Sequence, residues 1–170
     1  MKKIVFKMAQ SNEDLFVIQQ LADTIWREHY IPIIGLAQVE YMLNKYQSVK
    51  SIKNQLKKNV FYYLIKYDQL PIGYLSFCKE EDAIFLSKIY VLNNFRGKKI
   101  GKKAMSFVED QTKSLKLSKI YLTVNKNNVN SIRVYEKLGF KNIESLITDI
   151  GNGYVMDDFK MEKNLVKKVY

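Results

Sequence analysis

Ile89-Tyr-Val-Leu-Asn-Asn-Phe-Arg96-Gly97-Lys98-Lys99-Ile100-Gly101-Lys102-Lys103-Ala104-Met105 is the stretch on which the reading of this chain turns. The apolar run from Ile84 to Leu92 suits a buried strand. It enters a short polar loop that leaves through two glycines into a helical pattern. The first N–H groups of such a helix lack intrahelical partners and carry the positive end of the macrodipole. Anions bind there readily. Gly97 and Gly101 have no Cβ, so a ligand can approach the backbone closely. Arg96, Lys98, Lys99, Lys102 and Lys103 add cationic side chains around the same amides. The segment reads as a polyphosphate cradle, or as an ordinary strand-to-helix turn with a solvated lysine face. Taken alone it leaves both open.

Outward from this loop the pattern alternates strand and helix. Downstream, Ala104, Val108, Gln111, Thr112 and Leu115 line one face of a helix expected from Gly101 to about Lys116, followed by a strand, Ser118–Val124. Strand, helix, strand at this spacing is a crossover unit, so the run from Ala83 and the run from Ser118 should lie parallel. Ligands of such units sit beyond the carboxyl ends of the strands, where the glycine loop lies. A short helix from Asn128 to Leu138 closes on Gly139, and Phe140–Asp149 and Tyr154–Lys163 pair as a hairpin through Gly151-Asn152-Gly153.

Upstream, Val60–Tyr67, Ile72–Lys79 and Ala83–Leu92 make an antiparallel meander, with turns at Asp68–Pro71 and Glu80–Asp82. Lys3–Met8 is a first strand. Ser11 and Asp14 start a helix that runs from Asn12 to His29 and stops before Pro32. Ala37–Tyr46 and Ser48–Lys57 follow as one broken helix or two short ones. The fold class is α/β: a mixed, mostly antiparallel sheet with one parallel strand-helix-strand unit and helices on both faces.

Composition narrows the function classes. Apolar residues are 47% of the 170 residues, enough for a core and too many for disorder. The single cysteine, Cys78, forms no intramolecular disulfide and reads as a core residue. MKKIVFKMAQ lacks the apolar segment of a signal peptide and no apolar run approaches a membrane span, so the expected location is the cytoplasm with no membrane partner. The net charge of +11 admits a nucleic-acid binder, a binder of a small anion, or a merely solubilising surface. Five cations fall between Arg96 and Lys103, while the rest scatter through Lys50, Lys53, Lys57 and Lys58 or trail off at Lys163, Lys167 and Lys168. A compact cluster on a glycine loop favours a compact anion.

Two stricter phosphate templates fail. A P-loop puts a glycine where Lys102 stands, and the dinucleotide fingerprint puts glycines at Lys99 and Lys102. What the loop resembles is that of the GNAT superfamily of acyl-CoA-dependent N-acetyltransferases, Arg/Gln-x-x-Gly-x-Gly/Ala. Here it stands as Arg96-Gly97-Lys98-Lys99-Ile100-Gly101, with Lys99 replacing the first motif glycine. A second family element, Asn-x-x-Ala-x-x-x-Tyr and then Gly-Phe, is matched by Asn128, Ser131, Tyr135, Gly139 and Phe140, with Ser131 at the small-residue position. The resemblance covers about Val60 to Lys163.

That resemblance implies a single acetyltransferase domain over 1–170, with the acceptor-side helices in 1–59 and the acetyl-CoA core and C-terminal hairpin in 60–170. It implies acetyl-CoA as cosubstrate and no metal. The loop from Arg96 to Lys102, including Lys98, Lys99, Ile100 and Gly101, would hold the pyrophosphate. The backbone at Ile89 and Val91 would pair with the pantetheine arm, with Asn128 and Ser131 alongside. Tyr135 would be the general acid that protonates departing thiolate, and a strand N–H near Val91 would bind the oxyanion. Trp26, Glu28, His29 and Tyr30 fall where relatives build the acceptor wall. No carboxylate stands on the strand before the loop, so a general base is unassigned. The tail and the helical N-terminal segment are similar to the bacterial spermidine/spermine N-acetyltransferases, which makes a polyamine the first acceptor to consider, held by Glu28, Glu40, Asp157 or Asp158. A protein N-terminus or lysine is the alternative acceptor. A non-catalytic acyl-CoA-fold module or a basic nucleic-acid binder is the alternative class, although no nucleic-acid-binding motif supports the latter. A homodimer is compatible with all of these.

Overall fold

The computed structural model describes residues 3–165, so Lys167 and Lys168 lie outside the described residues. In chain order the elements are β1 (Ile4–Met8), α1 (Asn12–Ile34), α2 (Leu36–Gln47), α3 (Val49–Leu56), β2 (Val60–Tyr67), β3 (Leu70–Lys79), β4 (Ala83–Val91), α4 (Ile100–Ser114), β5 (Lys119–Asn125), α5 (Val129–Lys137), β6 (Lys141–Gly151) and β7 (Tyr154–Asn164). A short 3-10 turn, Asn93–Phe95, leads out of β4. The strands form a seven-stranded mixed sheet in the order β1-β2-β3-β4-β5-β7-β6. β4 and β5 are parallel, as the crossover pattern requires, and β1/β2, β2/β3, β5/β7 and β6/β7 are antiparallel.

The chain divides into two compact units. The first holds the described residues up to Cys78 together with Lys88–Ser106; the second holds Lys79–Ser87 and the described residues from Phe107. In the first, the core is built from Leu15, Ile18, Ala22 and Ile25 on one face of α1, Val39 and Ile52 of α2 and α3, and Tyr62, Leu64, Ile72 and Tyr74 of the strands, all buried. These positions follow the helical and strand periods of the sequence. In the second, Ile84, Ile120, Leu122, Met161, Val108 and Phe140 are buried, and Phe85 stacks on Tyr121 across the parallel pair at 4.8 Å.

Three boundaries differ from the sequence reading, each for a local reason, and one residue differs in burial. First, α1 does not stop before Pro32 but continues to Ile34. Proline's φ suits a helix; it forgoes its own N–H bond and crowds the carbonyl four residues back, yet the helix holds past it and the break comes at Gly35, whose φ of 81° leaves the helix and starts α2. Next, the turn between β2 and β3 contains only Asp68 and Gln69, both at positive φ, so β3 resumes at Leu70. Pro71 is tolerated because its partner Lys66 sits at a register shift. Likewise, the last hairpin turns on Asn152 and Gly153 alone, also at positive φ. Finally, Cys78 is half-buried rather than fully in the core.

The start of α1 is the capping box that Ser11 and Asp14 predict. Ser11 Oγ accepts the Asp14 N–H at 3.1 Å and Asp14 Oδ2 accepts the Ser11 N–H at 3.3 Å. Lys7 Nζ closes the far oxygen of Asp14 at 2.6 Å, tying β1 to the helix.

Candidate functional site

The glycine loop belongs to the first unit and is anchored at both ends. Behind it, Leu92 N–H donates to Ile72 O at 2.8 Å, and Arg96 Nε donates to Val91 O at 3.0 Å. Ahead of it, Ile100, Ala104 and Met105 bury the inner face of α4. Phe95 packs edge-on against Tyr67 at 5.7 Å, and Lys98 Nζ lies 4.9 Å above the Phe95 ring. The Arg96 side chain is therefore committed to holding the loop to the end of β4. Gly97, Lys98, Lys99, Gly101, Lys102 and Lys103 are exposed.

The loop residues depart from ordinary conformations in an instructive way. Gly97 has φ 75°, which only glycine adopts cheaply. Lys99, standing where the family motif has glycine, has φ 60°. It keeps the glycine's backbone shape at the cost of a strained left-handed residue. Its carbonyl accepts the Lys103 N–H at 3.1 Å and so begins α4, leaving the N–H groups of Ile100, Gly101 and Lys102 without partners in the helix. Gly101 needs no special dihedral, and a Cβ built on it meets nothing within 4 Å. A helix would gain from alanine there. The missing Cβ thus leaves open space beside the first amides of α4, with Lys98, Lys99 and Lys102 exposed on the same loop, and helix ends of this kind attract anions.

On β4, Ile89 and Val91 are half-buried. The parallel ladder to β5 covers only Ala83–Phe85 against Lys119–Tyr121, although β4 continues to Val91. The other side of β4 lies close against β3: a Cβ on Gly73 would fall 2.2 Å from Tyr90 O. Tyr90, between the two expected pantetheine positions, points to the opposite face and meets the helices.

There the structure brings together three of the four residues expected at the acceptor wall. Trp26 lies 4.6 Å from Tyr30 and 5.7 Å from Tyr90, and His29 sits edge-on to Tyr30 at 4.7 Å. Tyr74, fully buried, backs Tyr90 at 5.4 Å. Glu28 is not part of this cluster. Residues 26, 29 and 30 share a helical face, whereas Glu28 falls on the solvent side and is exposed. Glu40 faces a groove of about 690 Å³ between α1 and α2, and Arg27 bonds both it and Asp23, at 3.3 and 2.9 Å.

Lys88 has no role in the sequence reading, because a lysine in a strand reads as solvent-facing. It is 7% exposed. Its Nζ donates to Gln55 Oε1 at 3.0 Å and lies 5.1 Å above the Tyr62 ring, and the Tyr62 hydroxyl donates to the same oxygen at 2.7 Å. Burial lowers its pKa to about 8, despite the opposing pull of Cys78.

In the second unit, Asn128 is buried and caps α5: its Oδ1 accepts the Ser131 N–H at 3.4 Å. Ser131 is half-buried on the first turn of the helix. Tyr135 is half-buried and edge-on to Phe140 at 5.8 Å; its carbonyl accepts the Phe140 N–H at 3.0 Å, fixing the Gly139-Phe140 exit. Asp157 pairs with Lys126, and its neighbour Asp158 is buried. Among the described residues no helix is long and apolar enough to cross a membrane, and no cluster of His, Cys, Asp or Glu is able to hold a metal ion.

A mixed sheet whose parallel pair feeds a glycine-rich anion loop at the head of a crossover helix is the architecture of a coenzyme A-type acyltransferase domain. Residues 18–140 match the Acetyltransferase (GNAT) family, and the chain belongs to that family. It is 29% identical over 87 residues to a probable spermine N(1)-acetyltransferase of Bacillus subtilis subsp. natto, a match over 51% of this chain and 50% of the relative. The chain thus spans about half the length of the curated relatives it matches. Its fold is similar to the PaiA N-acetyltransferase of Thermoplasma acidophilum in complex with coenzyme A, with TM-score 0.80, 23% identity and coverage of 95% and 99% of the two chains. It is also similar to the spermidine N-acetyltransferase of Vibrio cholerae in complex with CoA and spermine, with TM-score 0.69, 18% identity and 95% of each chain covered.

Proposed function

We propose that the protein transfers the acetyl group of acetyl-CoA to a primary amine by direct attack within a ternary complex, and that a small polyamine is the acceptor. The observation that carries this reading is Gly101. The fold gives no reason for a glycine there, and the space it leaves adjoins the free amides of Ile100, Gly101 and Lys102. In this reading those amides, with the ammonium groups of Lys98 and Lys102 beside them, hold the pyrophosphate, and Lys99 adds positive charge to the loop without a direct contact. The backbone at Ile89 and Val91 and the side chain of Asn128 hold the pantetheine. Acetyl-CoA supplies the activated acyl group.

The chain's own residues then have definable tasks. Tyr135 carries a neutral hydroxyl donor and gives its proton to sulfur. Trp26, His29, Tyr30 and Tyr90 form a rigid aromatic wall, which suits the alkyl stem and ammonium group of an amine. The strongly basic surface attracts the cofactor rather than the amine, so acceptor selection rests on that wall. Support for a polyamine comes from what the similar Bacillus and Vibrio proteins are named for. We assign the protein to the cytoplasm.

Thermal melting tests the cofactor: acetyl-CoA at a hundredfold its Kd adds roughly 2.7 kcal/mol of stability. No shift at millimolar acetyl-CoA refutes the loop assignment. Thiol release across spermidine, spermine and peptide amines tests the acceptor. Turnover of peptides alone transfers the reading to a protein acetyltransferase.

A further inference from the structure

The two strands that end the sheet order are built differently. β1 has five residues, and Lys7 stands within it. Short length and an inserted lysine are two of the ways a protein keeps a sheet edge from pairing with another chain. β6 has eleven residues and no proline, and its one cation, Lys141, is its first residue. Its neighbour in the sheet order is β7 alone. Lys141–Ser145 and Ile147–Asp149 are exposed. The outer side of β6 therefore offers the row of N–H and C=O groups that templates a further strand.

Two register shifts, at Asn142/Glu144 and Asp149/Gly151, confine the regular part of β6 to Glu144–Asp149. Within it the side chains alternate between faces. Ser145, Ile147 and Asp149 share the face of their β7 partners Phe159, Asp157 and Val155. Ile147 is 73% exposed, and Ile143 and Val155 are 51% and 48% exposed. An isoleucine so bare adds little to the core of its own unit, and apolar residues grouped along a strand edge mark a contact surface.

A strand can pair antiparallel with its own copy about a two-fold axis, which sets residues of one face opposite residues of the same face. The axis must then pass through a residue rather than between two. At Ser145 it sets Ile143 of each copy opposite Ile147 of the other, Glu144 opposite Leu146, and Lys141 level with Asp149. At Leu146 it would set Ile143 opposite Asp149, and at Ile147 it would set Ile143 opposite Gly151. Of the centres in the regular segment, Ser145 alone gives both exposed isoleucines an apolar partner. It also leaves opposite charges together at both ends, which favours that register.

We propose that β6 is a self-association surface, on which two copies of this chain pair antiparallel about a two-fold axis at Ser145. Main-chain hydrogen bonds across the axis supply affinity, and the two Ile143–Ile147 pairs set the register. Such pairing is independent of the cofactor and of the acceptor.

Sedimentation velocity of the full chain at micromolar concentrations should show a dimer. Ile147→Lys changes an exposed side chain, so the fold stays intact by circular dichroism. The substitution counts twice in a symmetric pair and should raise the dimer Kd by on the order of tenfold or more. Ser145→Cys places two thiols opposite each other, with ~4.5–5.5 Å between Cβ atoms, and oxidised glutathione should join them into a covalent dimer. Ile147→Cys lies about four residues, or ~13 Å, from its own copy along the paired strands and should not cross-link. The parent chain, whose one cysteine is Cys78, gives the background. A wild type that stays monomeric, a dimer that Ile147→Lys leaves unchanged, or cross-linking of Ile147→Cys as fast as that of Ser145→Cys overturns the assignment. A monomer that binds a different protein through this edge overturns self-pairing equally.

Discussion

Gly73→Ala is the substitution with the most sharply determined outcome. Gly73 is buried on β3 and has an ordinary strand φ, so nothing in its own backbone forbids a side chain. What forbids it is β4. An added Cβ would lie 2.2 Å from Tyr90 O, 3.1 Å from Val91 Cα and 3.2 Å from Tyr90 C. All three are backbone atoms, so no side chain can rotate away, and the strands must separate locally by at least about 1 Å to reach an ordinary contact. Overpacking of this kind costs roughly 1–3 kcal/mol, and a strained ladder bond such as Leu92 N to Ile72 O (2.8 Å) adds about 1 kcal/mol. For a chain of this size each kcal/mol lowers Tm by about 2–4 °C, so a drop of about 5–15 °C is expected. Differential scanning calorimetry measures it. The displaced segment also carries Tyr90 and lies between Ile89 and Val91, so the KM for acetyl-CoA should rise in any variant that folds. A Tm within about 2 °C of wild type would refute the close approach and the reasoning built on it.

The remaining predictions separate stability from ligand binding. Gly101→Ala, which clashes with nothing in the protein, should raise stability by up to about 1 kcal/mol in urea unfolding while weakening acetyl-CoA binding in calorimetric titration; unweakened binding would remove the ligand-room argument. Tyr135→Phe should lower kcat by about 100-fold or more and leave acetyl-CoA affinity unchanged, and unaltered turnover would end its acid role. Asp14 is raised in pKa by burial, but Lys7 and the N–H groups of Gln10 and Ser11 more than offset this and hold it at about 2. Because its folded pKa is depressed, its contribution is complete above about pH 4 and lost as pH falls through 2; Asp14→Ala should cost about 2 kcal/mol at pH 7 and much less at pH 2. Lys88 runs the other way: its depressed pKa of about 8 penalises the folded state below pH 8 and not above 10.5, so Lys88→Met should gain up to about 3 kcal/mol at pH 7 and less at pH 9.5. Equal urea midpoints at both pH values would show that the ammonium is not desolvated.

Much of the fold was legible because its elements are locally consistent. The period of α1, the alternating strands and the capping box at Ser11 each speak through nearest neighbours in sequence. The parallel pair followed from connection length alone. The errors came where a breaker was overruled. Pro32 reads as a stop, yet only two residues of α1 follow it, and Gly35 does the stopping. The candidate site divides in the same way. The loop and the Asn128–Tyr135 helix are contiguous motifs and could be read directly. Tyr90 against Trp26, Lys88 over Tyr62, and Asp158 opposite Asn125 are cross-element meetings set by register, which no spacing within one segment encodes. Glu28 shows the converse: it adjoins Trp26 and His29 in sequence but lies on another face of α1.

Three neighbouring positions in the loop show why a motif match and a physical requirement are different things. At residue 97 glycine is needed for its φ of 75°. At residue 99 the same left-handed conformation is held by a lysine, so the motif glycine is replaced without changing the backbone path, and the lost conformational ease is exchanged for one more cation facing solvent. At residue 101 neither conformation nor packing asks for glycine, which leaves the space itself as the requirement. The substitution at 99 and the retention at 101 then have one explanation. A ligand that presses against the amides at the head of α4 leaves room for an exposed side chain at residue 99 and needs the space that a Cβ at residue 101 would take. Lys99→Gly should accordingly preserve the path of the loop, relieve roughly 1 kcal/mol of strain, and weaken a polyanion by no more than the loss of one exposed charge, with a shallower salt dependence of binding. A large loss of acetyl-CoA affinity at every ionic strength would instead mean that the Lys99 ammonium contacts the ligand directly, and that the loop is a charge clamp more than a backbone cradle.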